Sequence, residues 1–171
     1  MDFRLANSYD LPKLKVMYEK ITDHMNRNGI SIWDEIYPCE CFRKDLEKNR
    51  LYVLVGENHT IAASFALCDS SAGDGHVKWN SASSRALYIN YLGVNIDYLR
   101  RGIGSAALKN AIARTKQKGI DYLRLFVVDI NKPAINLYLK NGFTLAEGIY
   151  EEKIDEDLTL REYGMEIDVS K

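Results

Sequence analysis

Apolar residues along this chain fall into two rhythms. Leu14, Met17, Tyr18 and Ile21 recur at helical spacing, with Asp10 offered as N-cap, Pro12 in the first turn and Asn28-Gly29 as the stop. Phe42 to Lys48 fits a second, short helix. The runs LYVLVGE (51–57), IAASFALC (61–68), ALYINYLGV (86–94) and YLRLFVV (122–128) are nearly unbroken apolar stretches of strand length. The turn ENHT joins the first two as a hairpin. A helix is predicted from about Gly102–Gly104 to Lys118, with Gly119 as its stop. Asn131 caps another that has Pro133 in its first turn and closes at Asn141-Gly142. FRLAN near the start reads as a strand. FTLAEGIY and REYGMEIDV read as a final strand pair around the acidic connection EEKIDEDLTL. The order β-α-α-β-β-β-α-β-α-β-β mixes a hairpin with helical crossovers, which predicts an α/β fold with a mixed sheet.

Two stretches break these rhythms. DSSAGDGHVKWNSASS (69–84) is rich in Ser, Gly and Asp, has Trp79 as its one aromatic, and predicts a long mobile loop. ISIWDEIYPCE (30–40) is irregular and aromatic, with Trp33 and Tyr37 flanking Asp34 and Glu35.

Composition narrows the classes. The chain has 171 residues, 46% hydrophobic and 27% charged, with a formal net charge of −1. That suits one soluble domain over 1–171 and supplies no global field for nucleic acid or an anionic membrane. The start of the chain lacks an apolar leader pattern, and no apolar run has the length of a membrane span. The cysteines are Cys39, Cys41 and Cys68, and the histidines His24, His59 and His76 are scattered. These predict reduced, unreactive thiols, no metal and a cytoplasmic protein.

The candidate chemistry begins at DYLRRGIGSAAL (97–108). A helix starting there leaves its first N–H groups without intrahelical partners, and its dipole favours an anion. Gly102 and Gly104 allow close approach, Ser105 adds a hydroxyl, and Arg100 and Arg101 add forked cationic donors. The stretch therefore reads as a pyrophosphate cradle. Gly102-x-Gly104-x-x-Ala107 also matches the dinucleotide fingerprint, with Asp121 near the expected acidic position. Against that reading, the polar stretch NIDYLRR separates the glycines from their strand.

YLGVNIDYLRRGIGSAALKNAI followed by LFVVDINKPAINLYLKNGF resembles the two central motifs of the GNAT superfamily of acyl-CoA-dependent N-acetyltransferases. Residues 86–143 carry the resemblance. It implies one GNAT-like domain, with a mixed central sheet of about six to seven strands and about four helices, splayed between the strands near 86–94 and 122–128. It implies acetyl-CoA as cosubstrate, with Leu99, Arg100, Arg101, Gly102, Ile103, Gly104 and Ser105 around the pyrophosphate. Leu99 departs from the family pattern, where a polar residue is usual. The backbone of Leu92, Gly93 and Val94 would pair with the pantetheine arm, and one N–H near the residue before Gly93 would stabilise the developing oxyanion. Asn131 and Ala134 would lie beside the cofactor, and Tyr138 would protonate the leaving thiolate.

The acceptor implied is a primary amine, on a small molecule or a peptide. Trp33, Glu35, Tyr37, Trp79 and Asn90 are candidates for its pocket, through aromatic walls and charge. The sequence offers no obvious general base: Asn90 can position water but cannot take a proton, and Asp34, Glu35 and Asp129 are candidates only by proximity. Two alternatives remain beside acetyl transfer in a ternary complex. One is acyl-CoA binding without catalysis; the other is a nicotinamide-dependent oxidoreductase. The chain is expected to be a monomer or homodimer.

Overall fold

The structure is a computed structural model that describes residues 1–171. The chain forms eight strands and four α-helices. Its internal contacts divide it into two compact units, Met1–Leu67 with Asn90–Asn110, and Cys68–Ile89 with Ala111–Lys171.

The first unit opens with β1 (Asp2–Leu5) and α1 (Asp10–Arg27). α1 buries Leu14, Met17, Tyr18 and Ile21, the face its periodicity predicts. Its N-cap is Tyr9, and Asp10 is its first residue. The Asp10 carboxylate accepts the Asn7 N–H at 2.8 Å and a forked pair from Arg4 at 2.7 and 3.1 Å. Burial opposes that charge, but Arg4 and the Asn7 N–H together hold the carboxyl below its usual range. The short α2 spans Phe42–Glu47. β2 (Leu51–Val55) pairs antiparallel with β1 and with β3 (Ile61–Cys68), which confirms the hairpin. The rings of Phe3, Tyr52 and Phe65 stack at centroid distances of 5.2 and 5.8 Å along this meander. β3 neighbours β4 (Ala86–Val94), whose residues 90–94 belong to this unit. Asn95 fastens the end of β4, donating from its backbone to Ala62 at 2.8 Å and from its side chain to Ile61 at 2.9 Å. α3 (Ile103–Gln117) begins here.

In the second unit, Ala86–Ile89 of β4 pair in parallel with Tyr122–Leu125 of β5 (Tyr122–Val128). β5 then pairs antiparallel with β8 (Thr159–Asp168) over its whole length. α4 spans Lys132–Lys140. FTLAEGIY, read as one strand, is two: β6 (Thr144–Leu145) and β7 (Tyr150–Lys153), both antiparallel to β8. Gly148 sits between them at φ +100°, a conformation that ends the run. Much of the stretch read as an acidic connection is therefore strand.

The loop 69–84 also departs from expectation, because it is folded onto its unit. Trp79 is only 6% exposed and its ring lies 4.5 Å from the Arg124 guanidinium. Glu166 accepts from Arg124 at 3.1 Å and from the Asn80 N–H at 2.9 Å, while Arg124 donates to the Ser81 carbonyl at 2.8 Å. Tyr88 donates to Asp74, which also takes the Trp79 indole N–H at 3.0 Å. A buried ion pair on two strands thus gives a polar loop its partners.

Candidate active site

The cradle segment lies wholly in the first unit. After β4 a short 3₁₀ turn, Ile96–Tyr98, is capped by the Asn95 side chain, which accepts the Asp97 N–H at 3.0 Å. This turn separates the strand from the glycines, and β1–β3 form an antiparallel meander. Both features depart from a dinucleotide-binding fold, so the oxidoreductase alternative is set aside. Arg100 (φ +63°) and Gly102 (φ +73°) both take left-handed conformations. A Cβ on Gly102 would meet nothing within 4 Å, so its dihedral, not crowding, explains the glycine. α3 starts at Ile103, and the Ala106 N–H donates to Gly102 at 3.0 Å as the helix opens. Ile103 is buried, while Gly104 and Ser105 are half-buried in the first turn. Leu99, Arg100 and Arg101 are exposed. Arg101 lies over the Tyr98 ring at 5.2 Å and, with Arg4, Glu57 and His59, lines a cavity of about 780 Å³.

Upstream, β4 carries a local irregularity that the sequence does not announce. Tyr91 has φ +40°, rare for a residue with a bulky side chain. Its carbonyl accepts from the Tyr18 hydroxyl at 2.7 Å. A Cβ at Gly93 would lie 2.7 Å from Cζ of Tyr18, so only glycine lets that ring in. Leu92 and Val94 are half-buried on either side of it.

Trp33 and Tyr37 join this neighbourhood. Trp33 packs on Tyr18 at 5.5 Å, Tyr37 meets Tyr91 edge-on at 6.3 Å, and Phe42 touches Tyr18 and Tyr91 at 4.8 and 5.6 Å. Tyr37 is 41% exposed and precedes a cis Pro38. The loop is shaped by Asp34, whose Oδ1 accepts the Ile36 and Tyr37 N–H groups at 2.8 and 2.7 Å. Glu35 is exposed beside it, and Asn90 is half-buried on β4.

The second unit holds Trp79, Asn131, Ala134 and Tyr138. Asn131 caps α4, its side chain accepting the Ala134 N–H at 3.3 Å. Tyr138 is 7% exposed and packs on Phe143 at 5.9 Å. Burial raises its phenol well above the usual value, so it stays protonated at every ordinary pH. Trp79 is committed to Arg124 and Asp74, as described.

Sequence reasoning missed one further titratable pair. Glu162 on β8 and Glu152 on β7 belong to antiparallel partners in register at Tyr150↔Glu162. Burial, and then the hydrogen bond and charge of Glu152, push the Glu162 carboxyl up to about 8. Glu152 was visible only as part of an acidic run. No sequence signal pairs it with Glu162, because the pairing is cross-strand.

Comparison with known proteins gives these features a family. A "Mycothiol acetyltransferase" of Corynebacterium aurimucosum is 35% identical over 77 residues, 44% of this chain, and the chain spans only 25% of that protein's length. The "Putative phosphinothricin acetyltransferase YwnH" of Bacillus subtilis (strain 168) is 27% identical over 147 residues, covering 84% of this chain and 83% of YwnH. Among solved structures, yncA of Salmonella typhimurium with its cofactor acetyl-CoA aligns at TM-score 0.68 and 16% identity, over 99% of this chain and 94% of that one. Residues 17–143 match the Acetyltransferase (GNAT) family, and the chain belongs to that family.

Proposed function

We propose that this chain is an N-acetyltransferase that moves an acetyl group from acetyl-CoA to a primary amine, on a small molecule or a peptide, by direct attack in a ternary complex. One observation carries the reading: the left-handed Arg100–Gly102 turn delivers the chain into α3 with its first-turn N–H groups and two exposed arginines at one point. That is a donor set suited to a pyrophosphate. Acetyl-CoA fits this geometry, and when bound it supplies the activated acyl group.

The residues then divide the work. Gly102, Ile103, Gly104 and Ser105 offer backbone and hydroxyl donors to the pyrophosphate, with Arg100 and Arg101 at its rim and Leu99 contributing its backbone. Leu92, Gly93 and Val94 pair with the pantetheine arm, and Asn131 and Ala134 line it. The Leu92 N–H donates to the thioester oxygen as negative charge develops there. The amine nitrogen forms its bond to the acetyl carbon while the carbon–sulfur bond breaks. Tyr138 gives its hydroxyl proton to the departing sulfur, and the proton that the amine loses passes to water and from water restores the phenol, so that one proton moves from nitrogen to sulfur in each turnover. Trp33, Tyr37, Glu35, Trp79 and Asn90 are the candidate acceptor contacts. The aromatic cluster around Tyr91 supports the first two, since it gives the acceptor a π-rich wall.

The test is thiol release from acetyl-CoA across polyamines, amino acids, aminoglycosides and peptide N-termini. Saturable, amine-dependent release is expected. Tyr138→Phe should keep fold and acetyl-CoA affinity while turnover falls about 10²–10⁴-fold. Tight acetyl-CoA binding with no turnover on any amine class would instead favour a binding module, the role that Leu99 at a usually polar position suggests.

A further inference from the structure

Tyr18 lies in the middle of α1, at a position the helical pattern assigns to packing. It is 1% exposed, yet it carries a hydroxyl. That hydroxyl has one proton and two carbonyls in reach, Tyr91 at 2.7 Å and Ser64 at 3.1 Å. The shorter contact makes Tyr91 the better acceptor. Burial drives the Tyr18 phenol far above its usual value, so the donor is never lost by ionisation.

The acceptor is unusual too. Tyr91 is held at φ +40°, which L-residues avoid unless their surroundings over-determine it. Phe42 and Tyr37 hold its ring, and Tyr18 holds its carbonyl. The bare α-carbon of Gly93 admits the Tyr18 ring that makes this bond. A trans peptide is planar, so the Tyr91 carbonyl and the Leu92 N–H point in opposite directions. Fixing one therefore aims the other.

We propose that Tyr18 is a positioning residue for acyl transfer: its hydroxyl pins the Tyr91 carbonyl and thereby aims the Leu92 N–H at the acetyl carbonyl oxygen. This rests on the acetyl-transfer reading above. Tyr18 touches no reacting atom; it acts through a single peptide plane. The irregular dihedral at Tyr91 then has a purpose, because a regular strand would turn that N–H elsewhere.

The experiment uses the full chain, with acetyl-CoA carrying ¹³C at the acetyl carbonyl, followed by infrared spectroscopy and steady-state kinetics on an accepted amine. In the wild type the bound carbonyl stretch should lie below that of free acetyl-CoA, since a donated hydrogen bond polarises it. Tyr18→Phe keeps the ring and removes the proton. Its stretch should move back toward the free value and kcat should fall about 10–100-fold, less than the 10²–10³ that loss of an oxyanion donor costs. Acetyl-CoA Kd and amine KM should stay within about twofold, where a merely structural role would lower the melting temperature and leave the stretch unmoved. Gly93→Ala offers a second perturbation if Tyr18→Phe does not fold, because its Cβ pushes the Tyr18 ring aside; since Gly93 also pairs with the pantetheine arm, the expected result is the same spectral return with acetyl-CoA Kd still within about twofold. A wild-type stretch below the free value that stays unchanged in either folded variant overturns the proposal. A wild type that neither lowers the stretch nor acetylates any amine overturns the acetyl-transfer reading itself.

Discussion

Two polar stretches flank β4 in the chain, 69–84 before it and 95–102 after it, and they fold in opposite ways. The first is full of Ser, Gly and Asp but surrenders its hydrogen-bonding capacity to its own unit. Trp79 is buried, Gly73 is so close to Phe126 that a Cβ would lie 2.6 Å from that ring, and Glu166 and Arg124 take up backbone groups at Asn80 and Ser81. The second holds Leu99, Arg100 and Arg101 out to solvent and spends two left-handed residues on entering α3. A polar loop is thus not by composition a mobile one or a binding one. What decides is whether the core offers it a buried charge to satisfy.

The sharpest way to break the comparison is Glu166→Ala. Glu166 and Arg124 are each 2% exposed, so the substitution takes the buried carboxylate away from the guanidinium, which keeps the Ser81 carbonyl at 2.8 Å and Asp74 at 3.8 Å, and leaves the Asn80 N–H without its acceptor. Removing one partner of a buried pair costs about 3–5 kcal/mol when the other charge is left alone; with Asp74 still beside Arg124 a loss of about 2–3 kcal/mol is expected. Denaturant unfolding should show that loss, and hydrogen exchange should show faster amides at residues 79–81. A loss below ~1 kcal/mol with protection intact would mean that Trp79 packing alone docks the loop.

Glycines in the two stretches sharpen it further. Gly75 in the docked loop and Gly102 in the cradle turn both have open space at the missing Cβ, but only Gly102 has a positive φ, at +73°. Gly102→Val should cost roughly 1–2 kcal/mol from the left-handed backbone and weaken acetyl-CoA binding by calorimetry. Gly75→Ala should stay within about 0.5 kcal/mol. Equal effects would show that the turn is free to relax and that its dihedral is not what shapes the cradle.

The unequal legibility of these stretches has a physical root. Elements set by local patterns were readable: the α1 face, the Ile61–Cys68, Ala86–Val94 and Tyr122–Val128 strands, and the Asn131 cap all match. Within the candidate site, the start of α3 was legible because Gly-x-Gly is a local signal. The rest depends on partners distant in sequence. Nothing near residue 79 announces that Arg124 and Glu166 face each other across β5 and β8. Nothing near Tyr91 announces a hydroxyl from Tyr18. The split of 143–150 into β6 and β7 turned on one glycine, Gly148, whose φ no composition reveals.

A third prediction concerns Glu162, which sits on the same strand as Glu166 but is paired with a like charge. Burial and the neighbouring Glu152 push its carboxyl up to about 8 in the fold, from the ordinary 4.5 of an exposed glutamate in the unfolded chain. The native state therefore holds a proton that the unfolded chain has released. That contribution is fully present below about pH 4.5 and is lost as pH rises through about 8. Glu162→Gln removes the titration and should raise the melting temperature at pH 8 relative to the wild type, with no gain at pH 4. Equal gains at both values would assign the effect to packing instead. The contrast with Glu166 is direct: one strand carries a carboxylate whose removal destabilises and another whose neutralisation helps.

The smallest effect belongs to the exposed end of the comparison. Arg100 and Arg101 are adjacent and exposed, but Arg101 already rests on Tyr98 at 5.2 Å. An exposed charge facing a solvated phosphate contributes about 0.2–1 kcal/mol, so Arg100→Ala should weaken acetyl-CoA binding by no more than about fivefold. At 0.15 M ionic strength charges more than about 8 Å apart are screened, so the loss should shrink as salt rises. Calorimetric titration at low and high salt measures both. Arg101→Ala should lose less than Arg100→Ala and depend less on salt, because part of its side chain is occupied by the tyrosine ring. A salt-independent loss larger than tenfold at Arg100 would mean a desolvated, forked contact to the pyrophosphate. Arg100 would then belong with Arg124, as a charge that the fold has built its surroundings to hold.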